Sequence, residues 1–369
     1  MLLLLVPAAA LTLATLLLVA LWRLVLALRR RPALRFWRRA FTWHLGLFAF
    51  HLFVTAPLGI GYLASRFVGT RHDEAAYRGP RVDPDGTWLV QTRETLAAER
   101  PEKTRTGSAE PAAVWLTARD GVKLRSFLVP PRPPAVGADG RPRFLAVLVH
   151  GLYRGALEIE TPGRMLRDLD GEVLLLELRN HGGSGRSKPT FGLDESLDVL
   201  AAVEFLRARP EAHGRPLVLY AVSLGTAAAA LAAPQIPDLT GLVFDAPMDD
   251  LAATTGRMLG AGGGIPQPWR STLVWSAEHL GRVPFDRVKP RDALARLSPD
   301  VALLFIGAGR DGRMPPDSVK ALFDALPTRA DRKELWIEPA ATHGKVWVAA
   351  PSEYRHRLGR FVDRIAPGG

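Results

Sequence analysis

The sequence predicts an α/β fold: a mostly parallel sheet flanked by helices, with a helical cap inserted late and a pair of apolar helices ahead of it. Three observations predict it. From about residue 112 onward, short apolar runs of strand length alternate with helical patterns, as in a parallel sheet covered on both faces. Asp120-Gly121 sits between the runs at 113–118 and 122–129, so this part of the chain opens with an antiparallel hairpin. Two long uncharged runs, 2–22 and 41–65, precede it.

The first uncharged run is about the length a helix needs to cross a bilayer. No Lys or Arg comes before Arg23, whereas a cleavable signal opens on basic residues and has a shorter apolar core. The second run holds Trp43 near one end and Tyr62 near the other, where amphipathic rings favour a membrane interface. His44 and His51 share a helical face, and helix packing or a polar seam accounts for them better than a metal or haem. Between the runs stand Arg29, Arg30, Arg31, Arg35, Arg38 and Arg39. Such a loop stays in the cytoplasm, which places both ends of the hairpin, and the large domain, on the extracytoplasmic side. If only one run spans, the domain lies on the cytoplasmic side. Residues 1–65 thus read as a two-helix transmembrane hairpin and 66–111 as a linker with a turn at Asp83-Pro84-Asp85-Gly86 and a short strand at 87–90. Residues 112–369 read as the α/β domain, with the cap at about 248–297.

Composition excludes several classes. There is no cysteine, so disulfides, thiolate catalysis and zinc–thiolate sites are out. Residues 1–100 hold 13 Lys and Arg against 6 Asp and Glu, which accounts for +7 of the +11 net charge. The remaining residues carry no basic stripe, so nucleic acid is not an expected partner. Gly182-Gly183-Ser184-Gly185 is followed by Arg186-Ser187-Lys188-Pro189, not by the Gly-Lys-Ser/Thr of a phosphate-binding loop. No His and carboxylate cluster has metal-ligand spacing. No cofactor and no metal are expected. The oligomeric state is not legible.

In the α/β domain the expected strands are 144–149, 172–178, 217–221, 242–244, 301–306 and 334–337. The expected helices are 156–169, 194–209, 226–233, 318–326 and 352–365. Ligands of such sheets bind beyond the carboxyl ends of the strands. Ser223, His150-Gly151, Asp311 and His343 each follow a strand there. A serine hydroxyl is a weak nucleophile until a base takes its proton, imidazole does this near neutrality, and a carboxylate fixes the imidazole's tautomer. The order is Ser, Asp, His, with spacings of 88 and 32 residues. Asp245, after the 242–244 strand, is the competing acid. His150 and His181 are expected to organise their loops.

Ala221-Val222-Ser223-Leu224-Gly225 resembles the G-x-S-x-G nucleophile elbow at the serine and the second glycine. With Arg179-Asn180-His181-Gly182-Gly183-Ser184-Gly185, His150-Gly151, Phe285-Asp286 and the stretch from Pro290 to Pro299, the chain from about Ala113 to Ile365 resembles the α/β-hydrolase superfamily of serine hydrolases. It is most similar to the membrane-anchored, esterase-like branch. Ala221 departs from the family's usual glycine and adds one methyl at a tight turn. The resemblance implies Ser223 as nucleophile, His343 as base and Asp311 as the orienting acid. It also implies oxyanion donors from the N–H groups of Leu152 and Leu224. The expected activity is hydrolysis of an ester or thioester, through an acyl-enzyme. The tether and the apolar cap residues Leu251, Met258, Leu259, Trp269, Leu273, Val274 and Trp275 suit a small-molecule or lipid-like ester. A serine peptidase, an acyltransferase and a non-enzymatic membrane interaction module are the alternatives.

Overall fold

A computed structural model describes residues 23, 42–47, 49–67, 77, 79–82, 87–89, 113–131 and 141–367. The expected span at 2–22, the arginine loop at 29–39, the turn at 83–86 and all of 90–112 lie outside the described residues. The described residues fall into two compact units. One is drawn from Gly69–Gly262 and Pro284–Gly369, the other from Met1–Val68 and Gly263–Val283.

The larger unit is built on an eight-stranded sheet. Its strands are β3 (Ala113–Thr117), β4 (Lys123–Val129), β5 (Phe144–Val149), β6 (Gly171–Leu176), β7 (Leu217–Val222), β8 (Leu239–Asp245), β9 (Ala302–Ala308) and β10 (Lys333–Glu338). Their order is β10-β9-β8-β7-β5-β6-β4-β3. Pairing is parallel from β10 through β6, while β4 runs antiparallel to both β3 and β6. Every residue of β5, β6 and β7 is buried, which explains why they read as continuous apolar runs rather than alternating ones. Val149 pairs with Ala221 and Val222 with Asp245, so the carboxyl ends of β5, β7 and β8 finish level beneath one surface.

Helices cover both faces and bury two apolar clusters. One cluster holds helix 195–207 and helix 224–232, the other helix 351–365. The helix expected at 156–169 is broken: a 3-10 turn, Ala156–Ile159, precedes an α-helix, Glu160–Arg167. Within that α-helix Gly163 sits against the side chains of Leu175, Trp88 and Leu148 and leaves no room for a larger residue.

The stretch read as a linker also contributes to this unit. β1 (Arg81–Val82) and β2 (Trp88–Leu89) pair antiparallel, and Tyr77 and Trp88 are buried in the core. The Tyr77 hydroxyl donates to the buried Glu160 at 2.8 Å, and its ring meets Phe127 edge-on. Turn residues dominate the sequence around these two aromatics, which masks their packing role.

In the smaller unit, helical residues 42–47 and 49–50 lead through a π turn (His51–Thr55) into α1 (Ala56–Phe67). Within the π turn the Thr55 hydroxyl lies 2.6 Å from His51 Nδ1, one turn before it. α1 packs on the helix Gln267–His279 from the expected cap. The contact is close because Gly61 has no side chain; a Cβ there would lie 2.6 Å from the Leu273 carbonyl oxygen and 2.8 Å from Ser276 Cβ. Ser276 donates its hydroxyl to the Leu58 carbonyl. Trp43, Leu45, Leu47, Phe50, Trp275 and Leu280 are exposed. Among the described residues no helix is long and apolar enough to cross a membrane.

Candidate active site

The turn from β7 into the helix Leu224–Ala232 takes one residue, Ser223, with φ 52° and ψ −116°. That is a region side chains avoid, and it persists because both flanks are fixed. The Ser223 N–H donates to the Asp245 carbonyl at 3.0 Å. The Ser223 carbonyl accepts from Thr226 N at 2.9 Å and from the Thr226 hydroxyl at 2.6 Å. The turn needs a glycine two residues on, since a Cβ at 225 would lie 2.6 Å from the Val149 carbonyl oxygen and 2.7 Å from that of His150. Gly225→Ala is therefore expected to cost about 2–4 kcal/mol, since backbone atoms of β5 would have to give way. Urea unfolding of the two proteins measures it. Ala221 has no such conflict: it is fully buried and its methyl lies within the core cluster, so the chain accommodates its departure from glycine there.

The structure brings Ser223, His343 and Asp311 together. His343, in the loop after β10, has Nε2 at 2.9 Å from Ser223 Oγ and Nδ1 at 2.6 Å from Asp311 Oδ2. Asp311, in the loop after β9, is buried, and its Oδ1 accepts from the amides of Arg313 at 2.8 Å and Met314 at 3.0 Å. Burial works to raise the Asp311 carboxyl, but the hydrogen bond and charge of His343 and these two amides outweigh it and hold the group below its ordinary value. An ionised carboxylate accepting from Nδ1–H leaves Nε2 as the acceptor facing the serine hydroxyl. The arrangement can take the serine proton and stabilise the imidazolium that results.

Leu152 and Leu224 flank the same turn, after β5 and at the start of the helix. Their N–H groups make no hydrogen bond among the described residues. The Gly151 N–H, in contrast, is taken up by the Glu158 carboxylate at 2.7 Å.

Asp245 is elsewhere. Its side chain is fully buried under the turn, with Oδ2 accepting from the Tyr354 hydroxyl at 3.1 Å, which in turn meets the Tyr220 hydroxyl at 2.8 Å. Burial pushes its carboxyl up to about 7, with the Tyr354 hydrogen bond working the other way. It makes no hydrogen bond to His343 among the described residues; Asp311 is the carboxylate that does.

His150 and His181 join the loops after β5 and β6. His150 is fully buried, with Nδ1 at 2.8 Å from the Gly151 carbonyl oxygen and Nε2 accepting from Leu178 N at 3.1 Å. His181 accepts from Tyr153 N at 3.3 Å, and the two rings meet edge-on. Burial, then the neighbouring His181, lowers His150 from 6.5 to about 3. The unfolded chain therefore takes a proton below about pH 6.5 that the folded chain refuses, so stability is full above that pH and is lost as pH falls towards about 3. Thermal midpoints across that range are expected to fall, and His150→Gln, which keeps an acceptor for Leu178 N, is expected to flatten the fall.

Three features escaped the sequence reading. Glu158 carries no local motif because it meets Gly151 only once the loop turns back, and in the Tyr220–Tyr354–Asp245 chain the partners of Tyr354 are more than a hundred residues away. The third is Arg179, which is wholly buried and ion-paired to Asp198 at 2.7 Å and to Asp120 at 2.6 Å, fixing the loop after β6. Among the described residues no group of His, Asp and Glu is arranged to hold a metal.

Residues 140–296 match the family model described as serine aminopeptidase, S33. That stretch includes Ser223 and ends before Asp311 and His343. No curated protein sequence matches the chain. Among solved structures, the Pyrococcus furiosus esterase Pf2001 is similar at 20% identity and TM-score 0.58, over 78% of this chain and 99% of that one. Est1E from Butyrivibrio proteoclasticus is similar at 16% identity and TM-score 0.51, over 69% of this chain and 99% of that one. A thermophilic esterase from Thermogutta terrifontis is similar at 17% identity and TM-score 0.50, over 69% of this chain and 99% of that one. These likenesses show the fold alone, an α/β-hydrolase fold, and the family match covers less than half of the chain.

Proposed function

We propose that the protein is a membrane-tethered carboxylic ester hydrolase that works through Ser223, His343 and Asp311. The observation that carries this reading is the continuous hydrogen-bonded chain from Asp311 through His343 to Ser223, on an elbow held at positive φ. Ser223 Oγ attacks the acyl carbon as its proton passes to His343 Nε2. The oxygen of the tetrahedral intermediate takes hydrogen bonds from the amides of Leu152 and Leu224. Collapse expels the alcohol, or thiol, which takes the proton from His343. Water then attacks the acyl-enzyme, giving its proton to His343, and the acid leaves as Ser223 is restored.

Esterases among the similar structures favour an ester over the amide that the aminopeptidase description implies for its own family. A panel of p-nitrophenyl esters against aminoacyl p-nitroanilides separates the two. Turnover of esters with none of the anilides supports the reading, and the reverse overturns it.

The tether is supported by the uncharged runs at 2–22 and 41–65, the arginines between them and the exposed Trp43, Leu45, Leu47 and Phe50. The same features favour a lipid-like acyl substrate and an extracytoplasmic hydrolase domain. Proteolysis of intact spheroplasts tests the side: digestion of the hydrolase domain is expected, and its protection would place it in the cytoplasm.

A further inference from the structure

Glu158 is a largely buried acid beside the elbow that the proposed mechanism leaves unused. It projects from the 3-10 turn Ala156–Ile159, whose other residues Ala156, Leu157 and Ile159 are buried, so its backbone is fixed. Its Oε2 accepts the Gly151 amide at 2.7 Å, and its Oε1 lies 3.4 Å from Arg154 Nε. Gly151 is held between this carboxylate and the elbow: a Cβ at 151 would lie 3.1 Å from Glu158 Oε2, 3.4 Å from Ser223 Cβ and 3.6 Å from the Val222 carbonyl oxygen. The next amide along is that of Leu152, which makes no hydrogen bond of its own among the described residues.

We propose that Glu158 is a positioning residue: by holding the Gly151 N–H it fixes the turn after β5 so that the Leu152 N–H stays aimed at the acyl oxygen beside Ser223. The inference rests on the reading of Ser223 as nucleophile. The physical reason is that an oxyanion donor acts only when already placed; His150 at the Gly151 carbonyl and His181 at the Tyr153 amide hold the same turn from its other side. A charge-assisted bond to a carboxylate is about twice as strong as a neutral one, which suits it to this restraint. The carboxylate also takes the amide of residue 151 out of competition, leaving one donor from this loop.

The charged and titratable groups facing Glu158 come from several elements. Arg154 lies in its own loop, His343 and Lys345 in the loop after β10, Asp245 at the end of β8, and Tyr220 on β7. Burial raises the Glu158 carboxyl, while the Gly151 amide, Arg154, Lys345 and His343 work against that rise.

The test compares full-length wild type, Glu158→Ala and Glu158→Gln. Glu158→Ala is expected to lower kcat about 10–100-fold with KM little changed, a part of the 10²–10³-fold cost of losing an oxyanion donor outright. Glu158→Gln keeps an acceptor for Gly151 N–H and is expected to recover most of that loss. Equal kcat in wild type and Glu158→Ala overturns the proposal. So does an equal loss in both variants, with no rescue by the glutamine that keeps the acceptor, which is the mark of a purely structural role. Fluorophosphonate labelling of the three proteins keeps the failures apart: an unlabelled wild type removes the reading of Ser223, whereas a labelled wild type with an unimpaired Glu158→Ala removes only the role of Glu158.

Discussion

Ser223→Ala is expected to lower kcat on an ester by about 10⁴-fold or more while leaving the unfolding midpoint within about 1 kcal/mol of the parent. The loss is large because, among the described residues, His343 Nε2 meets only the Ser223 oxygen, at 2.9 Å, and Asp311 is committed to Nδ1. Stability is spared because Oγ makes no bond that holds the elbow. The turn is tied instead by the main chain of Ser223, to Asp245 and Thr226, and by the close seat of Gly225 on the end of β5. His343→Ala is expected to lose as much, and the double variant no more than either alone, because the two act on one proton. Stopped-flow hydrolysis of a p-nitrophenyl ester by each variant measures all three. Losses that add would mean that the two residues act separately.

Asp198→Ala is expected to destabilise the hydrolase unit by about 3–5 kcal/mol, the largest effect on folding of any single change considered. Arg179 is fully buried and receives Asp198 on Nε and Nη2 at 2.7–3.1 Å, with Asp120 on its other side. Asp198 also accepts the Arg179 main-chain N–H at 2.8 Å. Deleting it strands a guanidinium that has no route to water and can keep only Asp120, a half-exposed partner. Replacing both members by apolar residues of similar size is expected to cost less than deleting Asp198 alone, because the stranded charge goes with its partner. Urea denaturation of Asp198→Ala and of Arg179→Met/Asp198→Leu decides it; a double variant less stable than the single one would contradict the argument.

Much of this was legible in the sequence. Strands buried on both faces write themselves as unbroken apolar runs, so β5, β6 and β7 were readable to within a residue or two. The elbow was readable because a strand run ends at Ser223 and an alanine-rich helix begins at once. Asp311 and His343 stood out because each is a reactive type just past a strand. The rest was hidden for physical reasons. Gly163 approaches Leu175, Leu148 and Trp88 within its helix, a tertiary demand with no local trace. Tyr77 and Trp88 sit in a polar stretch, and only the fold shows that they are core. The segment expected as a cap divides, with the helix Gln267–His279 packing on α1 through Gly61 and Ser276, a partnership across some two hundred residues. Glu158 looks like any surface glutamate until the chain folds Gly151 back onto it.

The central claim is that Ser223 is the activated nucleophile of a serine hydrolase, and covalent labelling tests it most directly. Folded, full-length protein treated with a fluorophosphonate should take up one equivalent, on the peptide that carries Ser223, at a rate that collapses in His343→Ala. No adduct on the folded protein, or an adduct on another serine with Ser223 unmodified, would contradict the account.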